Sequence, residues 1–173
     1  MAADKVADEC ITVYTNWVAT MKVAYDDYAK AGTGGIRQKS VEFADLVATQ
    51  IAFLAENMGV WGDEIASAGI TATNADLTRF GNCGERMIAD ATKLSEALTA
   101  ASENKDPFQI RQTFKHAYYA LGWLELPSDK RSDSESGNAR CEDDFWKEYQ
   151  TDEMVARCGS YWEKEHNWGK SWG

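Results

Sequence analysis

Metal or nucleophilic chemistry in this chain would have to rest on four cysteines, two histidines and their acidic neighbours. Cys10, Cys83, Cys141 and Cys158 are widely spaced, with no Cys-x-x-Cys, no haem-attachment Cys-x-x-Cys-His and no paired zinc-ligand spacing. Their even number permits two disulfides, and the nearest pair in sequence, Cys141 with Cys158, would close a loop of about 16 residues worth about 3 kcal/mol. The other arrangement is four reduced thiols, with Cys10 and Cys83 serving as small core residues. Two-metal sites in helical bundles use paired Glu-x-x-His motifs, and only one copy occurs here, Glu163-x-x-His166. Non-covalent haem would need His116 together with a thioether such as Met87 or Met21. His116, however, falls off the apolar stripe of Phe114, Ala117 and Leu121. A nucleophilic Cys83 would need His116 as its base and an oxyanion site. Its neighbours Asn82 and Gly84 are small, but the thiol lies mid-helix beside apolar positions, where a buried thiol is inert.

The segment Gly32-Thr33-Gly34-Gly35 has the composition of a phosphate loop but lacks the Gly-Lys-Ser/Thr ending and a preceding strand. It reads as a connection between helices. The acidic pairs Asp26-Asp27, Asp63-Glu64 and Asp143-Asp144 join adjacent residues, which on a helix point about 100° apart and cannot clamp one substrate. No catalytic residue, metal or cofactor is therefore expected.

The elements that would position these groups are helices. The first proline is Pro107, so more than one hundred residues run without that helix breaker. In the first segment Ile11, Tyr14, Val18, Met21, Tyr25 and Tyr28 recur at steps of three and four, beside a second stripe of Val6, Cys10, Val13 and Trp17. Two adjacent stripes make a broad buried face, and Ala31-Gly32 ends the segment. A second helix from Ile36 carries Ala44, Val47, Ile51, Leu54 and Met58, with Gly59 as its stop; Leu46 and Phe53 lie off that stripe and imply a further neighbour. Val60 to Ala68 is expected as a short extra helix anchored by Trp61. In the third, Thr73 caps and Asp76 suits the helix dipole. Leu77, Phe80, Gly84, Met87, Ala91, Leu94, Leu98 and Ala101 then keep strict spacing. Gly81 and Gly84 each cost about 1 kcal/mol relative to alanine, which implies close approach by a bulky neighbour such as Trp17. The fourth opens with Asp106 as cap, Pro107 at the first turn and Gln109 completing a capping box. Ile110, Phe114, Ala117, Leu121 and Leu124 follow, and Pro127 ends it.

Together these make an all-α protein: an antiparallel bundle of about four long helices over 1–127, a polar linker over 128–140, and a small C-terminal helical appendage over 141–173. That appendage holds four of the seven tryptophans, Trp146, Trp162, Trp168 and Trp172. Two short helices are expected there, near 142–150 and 152–166. Indoles supply much of the binding energy at protein interfaces, which makes these four the candidate partner-binding residues.

A net charge of -10 opposes binding to nucleic-acid backbones and anionic membranes, and no apolar run reaches the roughly 20 residues of a membrane span. Met1-Ala2-Ala3-Asp4 opens an acidic segment without a basic region or an apolar stretch. A cytoplasmic location is expected, or else a mature exported form with a restored methionine. Lys105-Asp106-Pro107 with Gln109, Gln112 and Phe114, after a long Ala/Leu helix, resembles phasins, the helical coats of polyester storage granules. That resemblance implies a non-enzymatic coat with apolar helix faces on a granule; the cysteines and the Trp-rich tail depart from its pattern. The reading that follows from the residues is a non-catalytic structural or interaction protein, associating with a protein partner or with itself through aromatic helix faces and its tail. A bundle carrying haem or a small apolar ligand is the alternative.

Overall fold

A computed structural model describes residues 2–69, 72–120 and 144–149 and the isolated positions 155, 159, 162 and 163. The chain divides into two compact units, Met1–Leu121 and Gly122–Gly173. The first contains four helices: α1 (Ala3–Ala29), α2 (Ile36–Ala68), α3 (Asn74–Ser102) and α4 (Pro107–Ala120). Among the described residues there is no strand, and no helix is long and apolar enough to cross a membrane. The fold is all-α, as the periodicity requires.

Side-chain partners fix the helix directions. Asp8 meets Arg79, Cys10 meets Cys83 and Tyr14 meets Asp90, so positions rise together and α1 runs parallel to α3. Between α1 and α2 the pairing runs the other way, Tyr28 with Ser40 and Tyr25 with Phe43, as a short connection demands. Helix α3 packs on α1, α2 and α4, and α2 also packs on α4.

Both stripes of α1 face inward: Ile11, Tyr14, Val18, Met21, Tyr25 and Tyr28 are buried, and so are Val6, Cys10 and Trp17. The expected break in α2 does not occur. The helix runs for 33 residues through Gly59 and Gly62, about 50 Å at 1.5 Å per residue. Its buried stripe is Ile36, Ser40, Phe43, Val47, Leu54 and Trp61, and the last three are successive heptads that bridge the glycines. Burying a large side chain contributes about 1.5–3 kcal/mol, so Leu54 and Trp61 together outweigh the roughly 1 kcal/mol that each of the two helical glycines costs and carry the helix across. The helix ends at Gly69, whose φ of 54° suits glycine.

The start of α3 follows the sequence signal, with the Thr73 hydroxyl accepting from the Asp76 amide at 3.1 Å. At the start of α4 the capping box is only half made. The Asp106 carboxylate accepts from the Phe108 amide at 3.0 Å, but the Asp106 amide donates to the Asn104 side chain at 3.0 Å, the role expected of Gln109. One end of the bundle is closed by aromatic rings. Tyr28 stacks on Phe43 at 4.7 Å, and Phe114 of α4 meets both edge-on, at 6.1 Å and 5.1 Å; such pairs add about 0.5–1.5 kcal/mol each. Arg111 of α4 donates to the Ala29 and Ala31 carbonyls at 2.6 and 2.9 Å, satisfying carbonyls that the end of α1 leaves open and opposing its dipole.

In the second unit a short helix, α5 (Asp144–Glu148), falls within the expected 142–150 segment. Phe145 is buried, with its ring 5.1 Å from Tyr149. The expected linker 128–140, Leu121, Leu124, Pro127 and most of the expected helix 152–166 lie outside the described residues.

Candidate functional site

A cluster of buried polar and sulfur-bearing groups lies between α1 and α3. Helix α1 contributes Cys10, Tyr14 and Trp17, and α3 contributes Cys83, Met87 and Asp90. Each trio follows the spacing i, i+4, i+7, which places its members on one helix face. All six are sealed, from 0% exposure at Cys10, Tyr14 and Cys83 to 3% at Trp17.

Two layers result. In the first, the Cys10 thiol donates to Cys83 Sγ at 3.1 Å and lies 3.8 Å from Met87 Sδ. In the second, one turn along, the Tyr14 hydroxyl donates to Asp90 Oδ2 at 2.5 Å, the short distance of a hydrogen bond to a charged acceptor. Trp17 stacks beside Tyr14 at 6.0 Å, and its buried Nε1 has no hydrogen-bond partner.

The electrostatics keep both layers protonated on the hydroxyl and thiol side. Burial first, then the Asp90 charge, its hydrogen bond and Cys83, hold the Tyr14 phenol well above its ordinary range; Arg86 pulls weakly the other way. The Cys83 thiol is pushed far up, first by sharing a hydrogen bond with Cys10, then by burial and by the Cys10 charge, with Arg86 again opposing. A thiol so held is no nucleophile. His116, its candidate base, is exposed on α4, while Met21 and Met87, the candidate haem thioethers, lie in the core.

Other candidate groups resolve into local structure. Gly32 to Gly35 form the turn between α1 and α2, closed by the Gly35 amide on the Gly32 carbonyl at 3.0 Å. Asp26 pairs with Lys22 at 2.5 Å and Asp27 with Lys39 at 3.6 Å. Asp63 is exposed, and Glu64 is half-buried with Oε2 unpartnered. Gly84 is approached by Met58, not by Trp17: a Cβ there would lie 2.9 Å from Met58 Cε, whereas one at Gly81 would meet nothing within 4 Å. Of the tail residues, Trp162 is buried at 9% exposure and Glu163 is exposed. The side chain of Trp146, and Trp168, Trp172, Cys141, Cys158, Asp143 and His166, lie outside the described residues.

Asp90 and its bond to Tyr14 escaped the sequence reading because α3 turns a different face inward. The buried line is Cys83, Gly84, Met87, Asp90, Leu94, Ala97 and Ala101, while Leu77 is 42% exposed and Ala91 and Leu98 only half-buried. The expected and observed lines share Gly84, Met87, Leu94 and Ala101. They differ in whether Ala91 or Asp90 points inward, and apolar periodicity alone chooses the alanine. The usable signal was a tyrosine on the buried stripe of α1, since a buried phenol needs an acceptor.

No family model, curated protein or solved structure matches this chain.

Proposed function

We propose that this protein is a non-catalytic helical interaction subunit that associates with a second copy of itself through an apolar face of its bundle. The observation that supports the reading is a second stripe on α2. Leu46, Phe53 and Val60 repeat at heptad intervals about 100° round from the buried line, with Phe53 41% and Val60 52% exposed. Phe53 also lines a groove of about 400 Å³ between α1 and α2, together with Val13, Trp17 and Thr20. An amphipathic helix that keeps large apolar residues on solvent beside a groove fits a helix-in-groove contact. The tail tryptophans Trp146, Trp168 and Trp172 belong to the same proposal as additional anchors.

Sedimentation velocity between 1 and 100 µM, order-of-magnitude bounds spanning ordinary homodimer affinities, tests it. The expected result is a concentration-dependent dimer that Phe53→Glu converts to monomer with helicity unchanged. A strict monomer throughout that range, with Phe53→Glu indistinguishable from it, would overturn the reading.

A further inference from the structure

The geometry points to a copper(I) site formed by Cys10, Cys83 and Met87 in the interface between α1 and α3. Two thiols and a thioether are a soft donor set, and soft sulfur ligands select copper(I) over hard divalent ions. Among the described residues no group of three His, Cys, Asp or Glu could hold a metal, so the cluster lacks what calcium, magnesium or a closed zinc site would require. Metal–sulfur bonds of about 2.3 Å, as for zinc, put the ligands of a trigonal site about 4 Å apart. Cys10 Sγ already lies 3.8 Å from Met87 Sδ, and the 3.1 Å separation of the thiols must open by less than an ångström. Cys83 and Met87 are one turn apart on α3, so a single face presents both to Cys10.

An apolar groove adjoins the site on the α2 side of Met87. A groove of about 300 Å³ between α2 and α3 is lined by Met58 and Met87, with Ile51, Leu54 and Ile88 as apolar walls. Met87 is thus shared between the groove and the thiol pair. Met58 can sit there because position 84 is glycine, a Cβ at that point falling 2.9 Å from its Cε. A mid-helix glycine costing about 1 kcal/mol is accounted for by the thioether it admits. Binding displaces one proton from each thiol to solvent, and each sulfur gives an electron pair to the ion. No electron is transferred, and the Cu(I)-dithiolate carries one net negative charge. The metal must displace these protons against the burial and the shared thiol bond that hold Cys83 protonated, and Arg86 opposes those effects only in part.

The test uses the full chain with Cys141→Ser and Cys158→Ser, reduced and anaerobic, titrated with copper(I) held by a chromophoric chelator. The expected result is removal of one equivalent from the chelator, with a thiolate-to-copper absorption in the near ultraviolet. Met87→Leu, which preserves size and apolar character, is expected to weaken binding about tenfold or more, since even indirect support of a metal ligand is worth about that much, with helicity unchanged. Adding Cys10→Ser/Cys83→Ser to the same Cys141→Ser/Cys158→Ser chain is expected to abolish it. Retention of all copper by the chelator in the Cys141→Ser/Cys158→Ser protein, or Met87→Leu binding as tightly as its parent, would overturn the assignment. Neither outcome bears on self-association, which sedimentation reads separately.

Discussion

Tyr14→Phe isolates the bond at the centre of the bundle. The substitution removes one oxygen and leaves the ring, its burial and its stacking on Trp17 in place. What is lost is the 2.5 Å donor to Asp90, which is 1% exposed. A hydrogen bond to a charged group contributes about 1.5–3 kcal/mol, and a buried carboxylate deprived of a donor sits at the upper part of that range. The expected loss is therefore about 2–3 kcal/mol. At about 2–4 °C per kcal/mol for a chain of this size, Tm should fall by about 4–12 °C. Replacing both partners is a different matter, because a buried polar pair exchanged for apolar groups is often neutral. Tyr14→Phe/Asp90→Leu should recover much of the single-variant loss. Urea unfolding followed by circular dichroism supplies the four free energies of the cycle. A coupling energy below about 0.5 kcal/mol, the limit for independent sites, would refute the reasoning.

Three further expectations concern other parts of the molecule. Tyr14 and Cys83 have raised pKa values in the fold, so they keep protons that the unfolded chain releases above their ordinary values of 10.0 and 9.0. Stability should hold below pH 9 and fall above it by about 1.4 kcal/mol per pH unit for each group; Cys83→Ser should move the onset to near pH 10, as read from urea midpoints at successive pH values. Arg111→Ala removes two bonds to the end of α1 and should cost about 1–2 kcal/mol, with chemical denaturation showing the drop and Arg111→Lys recovering only part of it. Gly81→Ala, where a Cβ meets nothing within 4 Å, should stabilise α3 by about 1 kcal/mol; Gly84→Ala should gain less, because the Met58 methyl must move first.

How much of this was legible in the sequence depends on the range of the signal. Local signals were read well: the Thr73 cap, the Asp106-Pro107 start and the double stripe of α1 each depend on residues within a few turns. Gly59 misled because a local penalty was weighed without the gain from burying Trp61, which is 2% exposed. The observed face of α3 differs from the expected one by a partial rotation, set by what α1 offers it: a tyrosine hydroxyl that needs an acceptor and a thiol that meets Cys83. Cys10 and Cys83 are 73 positions apart, and nothing in either helix encodes the register that brings them together. Leu46 and Phe53, by contrast, stood off the α2 stripe in the sequence, and they lie on the flank that now carries the proposed contact.

The register of α1 against α3 carries every other claim about the site, and native oxidation measures it most directly. The Cys141→Ser/Cys158→Ser chain is treated with a small thiol oxidant, digested without reduction and read by mass spectrometry. A peptide joining Cys10 to Cys83 within one chain, with helicity retained, is the expected product. Cys10 and Cys83 linked only between chains, or left unjoined when the helices have opened and closed many times, would contradict the arrangement.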